Sequence, residues 1–161
     1  MLETIYRIVV DTVYMTRSAI EKYGKEHPDE TVIVAGGCKG RMLNNDGDVK
    51  SGIGWIFARR RNLILTDKRL SCGNWDIPFE EIIEAKLLRV NSFNAKAYIL
   101  KVSTDDGKHF QFGLQYNPKW ENQSQHSFKI EDSKIKMSVF SICLRIVILV
   151  WIIWYFIQLF D

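Results

Sequence analysis

Apolar positions change their period twice along the chain. Over the first 26 residues Leu2, Tyr6, Val9, Val13 and Ile20, with Ile5 beside them, recur at helical spacing, and the pattern predicts an amphipathic helix over 1–26 that ends near Gly24. From Thr31 to Trp120 the spacing shortens to β-rich runs separated by turn residues. "TVIVAGGCKGRML" predicts a first strand with a glycine bend, "NNDGDVKSG" a solvated hairpin loop, and "GWIFA" and "NLILT" the next extended stretches. "AYILKVSTDDGKHFQFGLQ" predicts a hairpin that turns at "DDG". "NPKW" opens with the Asn-Pro start of a helix, which would set Trp120 on the sheet. A polar stretch over 126–137 predicts a linker, and 138–160 is almost wholly apolar.

That last stretch predicts a transmembrane helix. From Val139 to Phe160 only Arg145 carries a formal charge, and at about 1.5 Å per residue a helix of this length covers the roughly 30 Å hydrocarbon core. Arg145 would cost about 2.5 to 3.5 kcal/mol at the bilayer centre, whereas each Leu, Ile, Val or Phe returns about 0.3 to 0.6, and the many such residues outweigh it. It also lies near the start of the segment, where its side chain can snorkel to the headgroups. Trp151, Trp154 and Tyr155 in the far half suit an interfacial belt. Lys129, Lys134 and Lys136 precede the segment and Asp161 follows it, so the positive-inside rule places the main body in the cytoplasm, in a tail-anchor arrangement. The competing interpretation is a buried or oligomer-forming helix, which a body this small would struggle to cover on all sides. At the other end Glu3, Arg7 and Asp11 break every apolar run, so a secretion signal is not expected. The N-terminal helix would pack on the body or lie on a membrane surface.

Composition narrows the chemistry. A chain of 161 residues suits one domain with an additional helix or two, and its net charge of +3 permits an anionic membrane as partner but falls short of a nucleic-acid footprint. Cys38, Cys72 and Cys143 are odd in number, separated in sequence and never in a CxxC pair, which predicts a reducing compartment and neither a disulfide framework nor a zinc site. His27, His109 and His126 have no catalytic motif around them, and Glu80 and Glu81, being adjacent, would point to opposite faces of a strand. "GGCKGR" lacks the Lys-Ser/Thr end of a phosphate loop, and "NNDGDVKSG" misplaces the glycine of a calcium loop. No enzymatic activity, cofactor or metal is expected.

Arg59, Arg60 and Arg61, preceded by Lys50 and followed by Lys68 and Arg69, form the one charged cluster with chemistry to offer. Guanidinium groups chelate phosphate oxygens bidentately, so a turn presenting several of them would hold a phosphorylated headgroup or an acidic segment, unless it is merely a solvated turn.

Three segments carry a family resemblance. "NLILTDKRLSC" is similar to the "lyLTdkRL" segment of GRAM and bacterial PH-like domains, "IPFEEIIEAKL" resembles the "ipledI..v" segment after it, and "LKVSTDDGKHFQF" resembles the strand, turn and "F.F" strand that follow. The resemblance spans 31–125 and implies an α+β, mainly β fold: a seven-stranded PH/GRAM-like barrel closed by a C-terminal helix. The chain departs from the pattern with "RRRN" before the hallmark strand and with a short stretch for that helix. Phosphoinositide-binding PH domains use basic residues near their first strands, which by resemblance points to Lys39 and Arg41. The expected function is a membrane-anchored module on the cytoplasmic face that recognises anionic lipid headgroups or a protein partner. The alternative is an assembly subunit that joins other membrane proteins or itself, without lipid specificity.

Overall fold

The computed structural model describes residues 2–47, 50–51, 58–92, 95–123, 128–133, 136–137 and 151. Two helices, not one, form from the N-terminal amphipathic stretch: α1 (Leu2–Val13) and α2 (Thr16–Glu26). Met15 separates them in the left-handed region at φ 50°, a conformation that an unbranched non-glycine residue adopts only where its surroundings hold it. The holding is visible. Asn62 donates its side-chain amide to the Tyr14 carbonyl at 2.8 Å, and the Thr16 hydroxyl donates to the Asn62 carboxamide oxygen at 2.9 Å. The break rotates the helical stripe away from the body: Val9 and Val13 are exposed, and Val10 and Tyr14 face the sheet in their place.

The remaining described chain is built from strands β1 (Val32–Leu43), β2 (Lys50–Ser51), β3 (Arg59–Thr66), β4 (Arg69–Cys72), β5 (Trp75–Pro78), β6 (Ile82–Ser92), β7 (Ala95–Thr104), β8 (His109–Gln115), β9 (Lys129–Ser133) and β10 (Lys136–Met137). Eight of them form one sheet in the order β5-β4-β3-β1-β8-β7-β6-β9, and β10 pairs with β2. Every neighbour pair in the large sheet is antiparallel except β6 and β9. The predicted β7–β8 hairpin forms, with Gly107 at φ 76° supplying the turn. Alternation along the strands gives the curled sheet an apolar inner face. Val34, Cys38, Leu63, Leu65, Leu87 and Leu100 belong to one buried cluster there.

The segment 126–137, expected as a polar linker, contains β9, whose Lys129–Ser133 run parallel to Lys86–Val90 and extend the sheet. The helix expected at "NPKW" is a single 3-10 turn, Pro118–Trp120, capped by the Asn117 side chain, which accepts from the Lys119 backbone N–H. Trp120 nevertheless falls on the inner face as expected and is 1% exposed. The large sheet therefore has eight strands where seven were expected, with β5 and β9 at its edges, and among the described residues after the 3-10 turn only Trp151 is helical. Among the described residues no helix is long and apolar enough to cross a membrane. The predicted transmembrane segment, with Arg145, Trp154 and Tyr155, lies outside the described residues, apart from an exposed, helical Trp151.

The glycines of "GGCKG" sit within the single strand β1, and two of them leave room for aromatic rings. A Cβ at Gly37 would lie 2.6 Å from Tyr14 Cγ on the outer face, and one at Gly40 would lie 2.8 Å from the Trp75 ring on the inner face. Close approach, not phosphate cradling, accounts for them.

Candidate functional site

Directly opposed residues on neighbouring strands share a face, so the registers place the basic residues without ambiguity. Arg59, Arg60 and Arg61 were expected together in a turn. They are the first three residues of β3, and strand alternation divides them. Arg59 and Arg61 lie on the inner side at its open end, where the Arg59 guanidinium sits 5.7 Å from the Trp75 ring centroid and the Arg61 side chain covers Gly73. Arg60 points to the outer face, opposite Lys39.

Lys68 and Arg69 are committed elsewhere. Lys68 pairs with Asp29 at 2.6 Å, and Arg69 pairs at 2.7 Å with Glu30, whose side chain is 1% exposed. Glu30 also accepts from Tyr23 at 2.8 Å and from Thr66 at 3.0 Å. Burial pushes the Glu30 carboxyl up, but the two hydroxyl donors and the Arg69 charge outweigh it and hold the group below its ordinary value. Tyr23 is pushed up by burial and by that carboxylate. These two cations clamp the end of α2 onto β3 and β4, a structural role.

A different set of cations gathers on the outer face of the other half of the sheet. One cross-strand row runs Lys129, Lys86, Lys101, Gln111, Arg41 across β9, β6, β7, β8 and β1. The next row carries Leu88, Ile99, Gly113, Lys39 and Arg60. Lys39, Arg41 and Arg60 were expected as site residues; Lys86, Lys101 and Lys129 were not. For Lys86 and Lys101 the signal was present in the two-residue alternation of "IIEAKLLRV" and "AYILKVST", which sets each on the face opposite the core; Lys129 lies in a stretch that reads as linker. Lys50 lies in β2 and belongs to neither row.

Hydrogen bonds and carboxylates organise the rows. Arg41 donates through Nε and Nη2 to the Gln111 carboxamide oxygen at 3.1 and 2.6 Å, and Gln111, wholly buried, donates to the Gly47 carbonyl at 3.0 Å. Lys101 pairs with Asp46, Lys86 with Glu84 at 2.8 Å and Lys129 with Glu131 at 3.1 Å. The Lys101 hydrogen bond holds the Asp46 carboxyl below its usual range, and the Glu84 hydrogen bond raises Lys86. Burial lowers Arg41 from its ordinary value. Among the described residues the two rows thus hold six cations, with three carboxylates ion-paired to them. Beside Lys39 a cavity of about 280 Å³ separates α1 from the sheet, with Val10, Tyr14, Val90, Ile99 and Gly113 among its walls.

The histidines contribute no centre of this kind. His27 caps α2 and packs its ring 4.5 Å from that of Tyr23, His109 lies 2.8 Å from the Ser103 hydroxyl in a cross-strand pair, and His126 is outside the described residues. Glu80 and Glu81 are exposed in a 3-10 turn, not in a strand. No protein-family model matches the chain, and no curated protein sequence does.

Proposed function

We propose that the chain is a non-enzymatic, PH/GRAM-like binding module, held by its C-terminal segment on the cytoplasmic face of a membrane, that recognises anionic lipid headgroups through the outer face of β1, β6, β7, β8 and the start of β3. The carrying observation is the pair of cross-strand rows that brings Lys39, Arg41, Arg60, Lys86 and Lys101 to one surface. Phosphate oxygens accept from several such donors at once, and the strands hold those donors in register before any ligand arrives. The cavity beside Lys39 offers an apolar wall next to the charges, which suits an amphiphile better than a free anion. With the tail inserted, weak headgroup affinity suffices, because the module is already confined near lipid.

Titration of the detergent-solubilised full chain with phosphatidylserine-containing mixed micelles, against all-phosphatidylcholine micelles, tests this. Selectivity for phosphatidylserine that weakens with salt is the expected result. Equal binding to both would remove the proposal.

A second reading, an assembly subunit without lipid specificity, draws support from α1, which exposes Ile8, Val9, Val13 and the adjoining Met15. Val9→Asp with Val13→Asp would then abolish association with a membrane-protein partner or with a second copy while leaving micelle selectivity unchanged.

A further inference from the structure

Cys38 and Cys72 are 34 residues apart in sequence, yet their Sγ atoms lie 3.5 Å apart. Both are buried, at 1% and 2% exposure. They stand on β1 and β4, which flank β3, with Cys38 opposite Arg61 and Cys72 opposite Leu63. Strands are spaced by about 4.7 to 4.9 Å, so inner-face residues two strands apart on a flat sheet would be nearly twice that distance apart. The curl of the sheet is what brings the two sulfurs into contact.

We propose that Cys38 and Cys72 form an oxidisable dithiol that closes to a disulfide by exchange with a small disulfide such as oxidised glutathione. The Cys72 thiolate attacks one sulfur of the glutathione disulfide; that S–S bond breaks, a mixed disulfide forms, and the first glutathione leaves as a thiolate that takes up the Cys72 proton. The Cys38 thiolate then attacks the Cys72 sulfur of the mixed disulfide, and the second glutathione leaves with the Cys38 proton. The protein dithiol is oxidised by two electrons, and one glutathione disulfide is reduced to two thiols.

Access comes from the edge of the sheet. Cys72 is the last residue of β4, followed by the exposed turn at Gly73 and Asn74 and by the four-residue edge strand β5. A short edge hairpin opens locally at far less cost than global unfolding. In the closed state the sulfur contact with Cys72 and burial both push the Cys38 thiol up and favour its protonated form, so the pair reacts only through that opening. Cys38 precedes Lys39 on β1, so a closed disulfide would fasten the strand beneath the cationic rows to β4.

The test uses the detergent-solubilised full chain carrying Cys143→Ser, so that only this pair can react. After incubation with oxidised glutathione, the monomer is expected to lose two hydrogen atoms by intact mass and both maleimide-reactive thiols under denaturant, reversibly with dithiothreitol. Its melting midpoint should rise by roughly 10 °C. Adding Cys38→Ala should instead leave a persistent glutathione adduct on Cys72. A persistent adduct with both cysteines present would show that the pair cannot close and would overturn the proposal. So would two thiols still reactive after incubation in mild urea that opens the edge hairpin.

Discussion

The two halves of the outer sheet face use the same residue types to opposite ends. Over β3 and the start of β1, helix α2 covers the sheet, and the loop after it brings Asp29 and Glu30 onto Lys68 and Arg69. Over β6, β7, β8 and the end of β1, helix α1 stands off the sheet across the cavity beside Lys39, and Lys86, Lys101 and Lys129 pair with carboxylates of their own strands or of the adjoining loop at Asp46. A basic residue becomes a structural clamp where a covered surface supplies a buried acid such as Glu30, whereas the lysines of the other half pair with more exposed carboxylates. "DKRL" and "CKGR" look alike as basic motifs; Asp29 and Glu30 reach the first, and the neutral Gln111 side chain meets Arg41 of the second.

The comparison can be broken first at what both halves share, the inner face. Trp120→Ala should destabilise the fold by about 3 to 5 kcal/mol, measured by urea or thermal unfolding, because its buried ring leaves a cavity that the sheet cannot close. A near-neutral result would mean that the 3-10 turn is not needed to complete the core.

Reversal of Lys39, Arg60 and Lys86 to Glu should lower affinity for phosphatidylserine micelles by about two orders of magnitude, at about 1 kcal/mol per basic residue, and flatten the salt dependence. Arg60→Glu alone should shift stability by less than about 0.5 kcal/mol, since the side chain is exposed. Unchanged affinity in the triple variant would make the cationic half as structural as the α2-covered half.

Glu30→Ala should cost about 2 to 3 kcal/mol, at the lower end for a broken buried pair because Arg69 keeps partial solvent access. The same contact predicts a pH dependence. The Glu30 carboxyl is held below its unfolded value, so its contribution is complete above about pH 4.3 and fades as pH falls through the folded value. Acid melts of Glu30→Gln should show a smaller loss than those of the native chain, the remainder coming from other depressed carboxyls such as Asp46.

The smallest effect is expected from Arg59→Glu with Arg61→Glu, on the side away from the rows: affinity for phosphatidylserine micelles should change by less than about threefold, because the sheet separates those side chains from the ligand. A loss as large as that of the triple variant would return the site to the arginine run.

Local pattern by itself determined much of this protein: the β-rich body between Thr31 and Trp120, the β7–β8 hairpin, helical character at the N-terminus and the burial of Trp120. Each of these follows from period, turn chemistry or a single large apolar side chain, which act over a few residues. Tertiary structure decided the rest. The N-terminal stripe was continuous in spacing, but the docking of Tyr14 and Thr16 onto Asn62 and Gly37 breaks it into two helices and turns Val9 and Val13 outward. "FKIEDS" is polar enough to read as linker, and only an open edge on β6 makes it a strand. Adjacent arginines invite a single site, yet pairing β3 with β1 separates Arg59 and Arg61 from Arg60. Lys39, Arg60, Lys86 and Lys101 lie far apart in sequence, as do Cys38 and Cys72. Register and sheet curl bring each group together, and both depend on strand pairings that no local window of the chain contains.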